Sequence, residues 1–483
     1  MRHAVMAVFW GVVAVVATGA AQQSPQDYVG ESSVHWHEID TDWMRAFHHP
    51  MEGVEMGLDL RLREVFSRNM FTVSDRMEGD RHFQRIRPRW SLKWALDEDI
   101  DFNTRLIWEF WNWCRPEGFR RSTEFDEALF DWMNLQFRNA FDLPLTMTVG
   151  RQDIILGTGW LVLDGTPADG SRTIFFDAVR GTYQLSDTAK LDMIYIQQYD
   201  EEDKWLKPFN HDAVSDRRHL TQNQDEKGFI LYLTNKVSED FGFDAYYMFK
   251  KDKKSDWAKY WTKKGITQFG DDQETNVLGG RLFGNLDENW SYSAEAAYQF
   301  GRFRPDGGDF VDQRAFGTNN KLQYSFHDKL SNEVHIGYEY LSGDDPGTGK
   351  NEKFNTMWGD WPQYQRGGDL QSYIWTAEGA TGEVSNLHRV GIGHSFKPHR
   401  QWTMATDYNL FWADENTFRD AVGYGYSRSG NFRGHMLTGL LTYQCCKNFR
   451  TEFLLDYFIP GGYYESPRGD QAYFARVNVE WTF

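Results

Sequence analysis

The chain of 483 residues is 40% hydrophobic and 16% aromatic, and its formal net charge is −18. A mean hydropathy of −0.65 excludes a bundle of membrane-spanning helices, because each such helix needs about 20 predominantly apolar residues. The aromatic content, with 20 Trp, 23 Tyr and 36 Phe, matches the aromatic girdles of a transmembrane β-barrel. The length fits one large barrel or two to three soluble domains.

Residues 1–21 have the pattern of a secretory signal peptide. Arg2 and His3 precede an apolar run over residues 4–17, and small residues then lead to a cleavage site before Gln22. The alternative is a short N-terminal membrane anchor, although the run is short for a membrane span. Export of the chain is therefore predicted.

Residues 22–55 are polar and irregular, which predicts a periplasmic lead-in. No acidic or thiol partner accompanies its histidines at the spacing of a metal site, so solvated side chains are favoured over metal ligands. These histidines are His35, His37, His48 and His49.

Residues 85–94 read RIRPRWSLKW and present two different faces in an extended chain. Successive side chains of a strand point to opposite sides, so the tryptophans and aliphatic residues share one face. Arg85, Arg87, Arg89 and Lys93 share the other. A soluble sandwich would place the apolar face against a core. The same pattern fits a barrel wall with lipid outside and an aqueous channel inside.

Similar alternating segments continue to the end of the chain, and eighteen of them are separated by turn residues. An even number is what single-chain bacterial barrels require. The predicted strands are residues 57–66, 81–95, 100–113, 128–139, 145–154, 173–185, 189–199, 227–237, 241–250, 275–285, 290–301, 313–326, 330–341, 383–396, 401–412, 434–445, 449–459 and 471–483.

The connections between these segments alternate in length. Short ones such as 96–99, 186–188 and 446–448 recur at every second position, and long ones such as 200–226 and 342–382 lie between them. This rhythm predicts short periplasmic turns, long outer loops and two periplasmic chain ends. A β-sandwich gives no reason for such sorting, and a repeat solenoid would show one fixed period.

The last strand ends on Phe483, an aromatic terminus that resembles the C-terminal signal of bacterial outer-membrane proteins. Lipid cannot satisfy free backbone N–H and C=O groups, so a membrane-spanning sheet must close on itself. The sequence therefore predicts an all-β fold, a transmembrane antiparallel up-and-down β-barrel of about 18 strands, over residues 56–483.

With the apolar face outside, inward positions can be read from each strand. A ladder of guanidinium groups in a narrow pore favours anions, and the planar fork of arginine matches a carboxylate in two-point hydrogen bonds. The alternative is that these arginines pair with acids across the barrel and hold its shape. The basic side chains predicted to line the path are Arg85, Arg87, Arg89, Lys93, Arg105, Arg138, Arg180, Arg389, Arg450 and Arg476, with Arg61 and Arg63 also inward.

Two other residue types leave alternatives open. Trp111 and Trp113 either line the path, where sugars stack on aromatic faces, or belong to the interfacial aromatic belt, which is favoured. The adjacent Cys445 and Cys446, with Cys114, do not suit a disulfide framework or a metal site, so free or lipid-facing thiols are predicted. Neither a metal nor a cofactor is expected.

Several short patches resemble the alginate-export family of outer-membrane porins. They are NLQFRN at residues 134–139, TVGRQ at 148–152 and FDAVR at 176–180, and the tail DYFIPGGYY at 456–464 is similar to the family's C-terminus. The likeness spans about residues 56–483. The resemblance implies an eighteen-stranded monomeric barrel with a positively charged constriction that conducts a uronic-acid polymer outward. Arg138, Arg151 and Arg180 match motif arginines, which adds Arg151 to the predicted path.

Residues 154–172 follow the Gly-Arg-Gln of that family's motif. Glycines at 157, 159, 165 and 170 would let this segment fold back toward the lumen. The family pattern carries more charge here, whereas residues 154–163 read IILGTGWLVL. That departure leaves the identity of the polymer open and does not affect the barrel.

Together these features predict a passive, non-enzymatic outer-membrane channel for an anionic, alginate-like polysaccharide or oligosaccharide. It would be a monomer in outer-membrane lipid, compatible with periplasmic secretion partners and without a nucleic-acid partner. A less selective porin for small anionic nutrients differs only in cargo. Two further classes are an enzyme embedded in a barrel, for which no nucleophile near a histidine stands out, and a soluble periplasmic carbohydrate-binding sheet protein.

Overall fold

Eighteen strands form one closed antiparallel sheet, as the alternation predicts. The computed structural model describes residues 42–116, 126–164, 175–199, 206, 209, 225–254, 272–305, 308–359, 369–374, 385–417 and 425–483. Each barrel strand pairs with the next barrel strand along the chain, and the last strand pairs with the first, for example Trp481 with Leu60. The strands within the described residues are β1 (Val54–Arg68), β2 (Asp80–Ala95), β3 (Ile100–Arg115), β4 (Asp126–Phe137), β5 (Leu145–Gln152), β6 (Ile154–Ile155), β7 (Leu163–Asp164), β8 (Phe176–Gln184), β9 (Ala189–Gln198), β10 (Asp225–Lys236), β11 (Gly242–Lys253), β12 (Asp272–Asn285), β13 (Trp290–Arg304), β14 (Val311–Ser325), β15 (Glu333–Leu341), β16 (Leu387–His399), β17 (Trp402–Trp412), β18 (Phe432–Cys446), β19 (Phe449–Pro460) and β20 (Ala472–Thr482).

The two faces of each strand differ in polarity and exposure. On β1, Leu62 and Phe66 are 44% and 45% exposed, whereas Arg61 and Arg63, the two neighbours of Leu62, are buried. This is the reverse of a soluble sheet, in which charged residues face water and leucines face a core. The outer face therefore suits lipid and the inner face carries the charge.

The connections sort by length between the two ends of the barrel. One end, called here the short-turn end, has connections such as residues 96–99, 185–188, 400–401 and 447–448. The other, called the long-loop end, includes residues 199–224 and 342–386. The connection 305–310 is the exception, since it joins β13 to β14 at the long-loop end in only a few residues.

The N-terminal part departs from the expected irregular lead-in where the structure describes it. A short helix, α1 (Asp42–His48), precedes β1, and the ring Nδ1 of His48 lies 2.9 Å from the carbonyl oxygen of Met56. The signal-peptide prediction over residues 1–21, the rest of the lead-in to residue 41, and thus His35 and His37 lie outside the described residues.

No helix among the described residues is long and apolar enough to cross a membrane.

Two of the long connections enter the barrel. The connection from β5 to β8 contains the small β6–β7 hairpin, called here the inner hairpin (residues 153–164). The connection from β15 to β16 contains an extended segment, called the inner strap (residues 351–359), and a helix, α2 (Asp369–Ile374), of which all six residues are buried. The inner hairpin confirms that the glycine-containing segment folds back toward the lumen, and residues 165–172 of that segment lie outside the described residues.

Candidate functional site

The inner hairpin identifies the inner face of the sheet. It leaves the wall at β5, yet Thr158 Oγ1 donates to Glu295 on β13 at 3.4 Å and Trp160 Nε1 donates to Glu339 on β15 at 3.1 Å. A segment that joins two opposite walls must cross the space between them. Glu295 and Glu339 therefore point into the barrel, and the alternation of each strand assigns the remaining inward positions.

An arginine cluster lies on the inner face of β1 and β2, and is defined by Arg61, Arg63, Arg85 and Arg87. The register places Arg61 directly opposite Arg87 and Arg63 directly opposite Arg85. Their exposed fractions are only 1–4%. Side chains directly opposite on neighbouring strands lie about 5 Å apart at Cβ, where like charges destabilise a sheet. The cluster is thus a local concentration of positive charge that the fold tolerates at a cost.

Three carboxylates border the arginine cluster. Glu480 on β20 is directly opposite Arg61, and Glu109 Oε1 is 4.0 Å from the Arg61 guanidinium. Asp59 Oδ1 is 3.7 Å from Arg87 Nη2, while its other oxygen accepts a 2.6 Å hydrogen bond from Arg89. Among the described residues, Arg87 Nε and Nη1 have no hydrogen-bond acceptor. The bordering acids therefore leave donors of Arg87 unused.

An aromatic platform adjoins the arginine cluster on β3. Trp111 and Trp113 stack at 5.2 Å between ring centroids, and both pack on the buried Phe83 of β2. The Arg85 guanidinium lies 5.1 Å from the Trp111 ring centroid. These contacts place both tryptophans on the inner face, so the preference for the interfacial belt was wrong for them. Exposed outer tryptophans include Trp94, Trp108 and Trp481.

Other predicted path arginines lie inside the barrel but are bound by carboxylates. This is the alternative in which arginines pair with acids and hold the shape of the barrel. The Arg105 guanidinium is bound by both oxygens of Asp131, and it also lies 3.3 Å from Asp153 at the base of the inner hairpin. A buried guanidinium needs such partners, since an uncompensated buried charge is strongly destabilising. The remaining pairs are Arg89–Asp59 at 2.6 Å, Arg180–Asp192 at 2.9 Å, Arg389–Glu339 at 2.8 Å and Arg476–Asp369 at 3.0 Å.

Three predicted path residues lie at the short-turn end. Lys93 is half-exposed, with Nζ 3.8 Å from Asp101 Oδ2. Arg138 follows the end of β4, donates to both oxygens of Asp101 and also donates to the Glu98 carbonyl at 2.7 Å. Arg450 donates to Glu452 on its own strand. Lys93, Asp101 and Arg138 line a cavity of about 370 Å³, which makes them residues of the mouth rather than the middle of the barrel.

Arg151 departs from the prediction. It follows Val149 by two residues on β5, and Val149 is 39% exposed on the outer face. Residues two apart in a strand share a face, so Arg151 shares the outer one. Its guanidinium binds Asp177 on β8 at 2.9 and 3.0 Å and donates to the Phe130 carbonyl of β4 at 2.9 Å. Arg151 thus joins three wall strands from outside the lumen.

The inner strap is fixed to the wall by polar contacts. Trp358 Nε1 donates to Glu226 Oε2 at 3.0 Å, and Lys250 Nζ donates to the Met357 carbonyl at 2.7 Å. Trp358 also pairs with the inner hairpin, since its N–H donates to the Leu161 carbonyl at 3.0 Å. Hairpin and strap therefore form one connected constriction across the barrel.

Sequence reasoning missed the inner face of β10–β12. Glu226, Asp244, Lys250 and Arg281 are all buried there, and Arg281 Nε donates to Asp244 at 2.7 Å. The alternation that identified the arginines of β2 was also present in these strands and would have found them. The partners from the connections, Trp358 and Asp369, had no comparable signal because connections lack a fixed period.

Metal-binding and disulfide chemistry are not evident in the described part of the chain. It contains no group of three or more His, Cys, Asp or Glu side chains arranged to hold a metal. Cys114, Cys445 and Cys446 are partly buried, and none of them forms a disulfide bond within the described residues.

Comparison with protein families gives one extended match. The model of the family described as "Alginate export" matches residues 53–435. A search of curated proteins found no significant match.

Comparison with solved structures identifies barrels of similar architecture. The crystal structure of Acinetobacter baumannii OccAB4 superimposes with a TM-score of 0.52 at 11% identity, covering 89% of this chain and 99% of that chain. Pseudomonas aeruginosa OpdQ gives 0.52 at 12% identity, and OpdO from the same organism gives 0.51 at 12% identity; each match covers 90% of this chain and 99% of the other. At these identities the likeness shows the shared fold alone.

Proposed function

Because the chain belongs to the alginate export family and folds as a closed eighteen-stranded barrel, we propose that it is a passive outer-membrane channel that conducts an anionic, alginate-like polysaccharide or oligosaccharide. The observation that carries this proposal is the direct opposition of Arg61 to Arg87 and of Arg63 to Arg85 on the inner face. Like charges held this close lower the stability of the sheet. An anion that binds between these arginines during transport would offset their repulsion.

The chemistry of the cluster supports a carboxylate-bearing cargo. Guanidinium groups bind carboxylates through two parallel hydrogen bonds, and this geometry favours arginine over lysine. Arg87 retains unused donors among the described residues, whereas Arg105 directs its Nε and Nη2 at the fixed carboxylate of Asp131. These donors are buried, so a uronate would receive hydrogen bonds from the cluster only when the side chains that cover it move aside during passage. The path also includes the cations of the mouth, Lys93 and Arg138.

The aromatic platform supports a sugar rather than a simple anion. Trp111 and Trp113 present stacked rings next to Arg85. The apolar face of a sugar ring packs on an indole while its carboxylate is within reach of a guanidinium on the neighbouring strand. A small inorganic anion would gain nothing from the indoles.

A second candidate is a less selective channel for small anionic nutrients. The observation that favours it is the burial of the arginine cluster, whose side chains are 1–4% exposed. Together with the inner hairpin and strap, this burial describes a narrow interior, which admits small anions more readily than a polymer. The two candidates share the anion preference and differ in the length of sugar that enters.

The test is single-channel recording in planar bilayers with a salt gradient, followed by addition of uronate oligomers of increasing length. The wild-type channel is expected to prefer anions and to be blocked more strongly by longer oligomers. Arg85→Gln/Arg87→Gln should shift the reversal potential toward cations, and Trp111→Ala should weaken block by oligomers without changing the ion preference. Arg302→Gln, on the outer face, is the matched control and should behave as wild type.

Block that is independent of oligomer length would favour the small-anion candidate. Cation preference in the wild-type channel, unchanged by Arg85→Gln/Arg87→Gln, would contradict both candidates. Heat-modifiable gel mobility establishes that each variant is a folded barrel before recording.

A further inference from the structure

The outer face of β10–β13 carries a row of aromatic residues toward the long-loop end. Phe229 lies directly opposite Phe249, and Phe300 continues the row on β13 after Asn276. The next row toward the short-turn end includes the half-exposed Leu278 and Tyr298. Aromatic side chains concentrate where the hydrocarbon of a membrane meets its headgroups. This row therefore marks the headgroup level on this side of the barrel.

A basic band begins one step further along the same strands. Its central row runs Lys227, Lys251, Glu274, Arg302 and Asp312, each directly opposite the next. The band is defined by its outward cations, which in the described residues are Lys227, Lys251, Lys253, Arg302 and Arg304, together with Arg314, which lies level with the aromatic row, opposite Phe300.

Carboxylates interleave with the basic band and position it. Glu274 accepts a 2.6 Å hydrogen bond from Lys251 Nζ and a 2.7 Å hydrogen bond from Arg302 Nε, so the two cations are held side by side. Phe310 lies under both Arg302 and Arg304, 4.7 and 4.1 Å from their guanidinium carbons. An ammonium has three donors and a guanidinium has five, so Lys251 and Arg302 each have donors beyond the one that binds Glu274.

The basic band is a property of one side of the barrel. On β15–β17 a corresponding outward row at the long-loop end reads Tyr340, His388 and Trp412. Tyr340 donates to Asp414 at 3.1 Å and the His388 ring also contacts Asp414. That row has neither a lysine nor an arginine. At this end of β1 the outward Arg68 is bound by both Asp75 and Asp80, so the described outward cations concentrate on β10–β14.

From this placement we propose that the basic band binds the phosphate groups of lipids in the leaflet at the long-loop end. The acyl chains would pack on the aromatic row while phosphates accept hydrogen bonds from Lys251 and Arg302. Cations adjacent to an aromatic boundary face the layer in which lipid phosphates lie. A formal net charge of −18 gives the whole chain no general attraction for anions, so binding must be local.

The test measures lipid retained by the purified full-length barrel in detergent, using native mass spectrometry. The probes are a bis-phosphorylated glucosamine-based glycolipid and the same glycolipid without phosphate. Wild type should retain the phosphorylated form preferentially. Lys227→Gln/Lys251→Gln/Arg302→Gln should reduce that retention at least about tenfold, since each surface cation contributes independently to binding an anionic lipid.

Two controls keep the test decisive. Lys236→Gln removes a cation from the short-turn end of β10 and should retain the phosphorylated lipid as wild type does. Lys251→Arg/Arg302→Lys keeps the charge and should also bind. Equal retention of the two glycolipids by wild type, or full retention by the triple glutamine variant, would overturn the proposal. The readout does not involve transport, so its failure would leave the channel proposal intact.

Discussion

Arg61 and Arg87 lie directly opposite each other on the inner face of β1 and β2, and both side chains are buried. Most other buried arginines inside the barrel that this structure describes have a carboxylate within about hydrogen-bond distance, as Arg389 has Glu339 at 2.8 Å. The barrel thus contains two kinds of arginine, one arranged for mutual repulsion and one held in ion pairs. Removing an arginine of the first kind should preserve stability and change ion selectivity. Removing an arginine of the second kind should lower stability.

Arg87→Gln should leave the barrel as stable as wild type or stabilise it, with a change in unfolding free energy within about 1 kcal/mol. The reason is that it relieves the repulsion from Arg61, while Asp59 keeps its 2.6 Å hydrogen bond from Arg89. Urea unfolding in lipid vesicles, followed by tryptophan fluorescence, measures this difference. Arg87→Lys keeps the charge and is the control. A large loss of stability would show that the cluster holds the wall together.

Arg389→Gln should destabilise the barrel by about 3–5 kcal/mol, because Glu339 would remain as a buried charge without its cation. Glu339 also accepts the Trp160 Nε1 hydrogen bond, so the anchorage of the inner hairpin should weaken as well. The same urea titration applies. Arg389→Gln combined with Glu339→Gln should recover most of the loss, and failure of that rescue would contradict the role of the ion pair.

Arg151→Gln should leave ion selectivity unchanged although the sequence resemblance places this arginine on the path. Its face is the outer one, and its partners are Asp177 and the Phe130 carbonyl. Loss of these charge-assisted hydrogen bonds should cost about 2 kcal/mol of stability. Reversal potentials compared with Arg87→Gln measure the first effect. A shift in reversal potential as large as that of Arg87→Gln would show that Arg151 faces the lumen.

Gly228→Val should release the inner strap. An added Cβ at Gly228 would lie 2.3 Å from the Trp358 ring, so the indole must leave and with it the hydrogen bond to Glu226. The expected result is a larger and more variable single-channel conductance. Gly349→Val is the control, since a Cβ there would meet nothing within 4 Å. An unchanged conductance in Gly228→Val would mean that the strap does not narrow the channel.

Much of the wall could be predicted from the sequence. The period of two in residues 85–94 assigned Arg85, Arg87 and Arg89 to one face, and the same period located eighteen strands whose number the structure confirms. It works because lipid and water impose opposite demands on the two faces of each strand. The errors arose for residues that are compatible with both lipid and water. Trp111 and Trp113 are such residues, and they face inward.

Arg151 illustrates a second limit. Its place in a family motif gave no information about its face, which the flanking Val149 and the register with β8 decide. The contacts made by the connections could not be predicted from the sequence either. Trp358, for example, contacts Glu226, which is 132 positions away in the chain. A side chain that leaves a connection has no period to follow, and only packing determines its partner.

By itself the sequence determined which alternate side chains of a strand share a face, because neighbours along an extended backbone must point opposite ways. Only the tertiary structure decided what those side chains meet. Pairing of β1 with β2 sets Arg61 against Arg87, and pairing of β1 with β20 brings Glu480 to the same place. Register depends on hydrogen bonds between strands, and closure depends on the two ends of the chain finding each other, so neither is encoded in any local stretch.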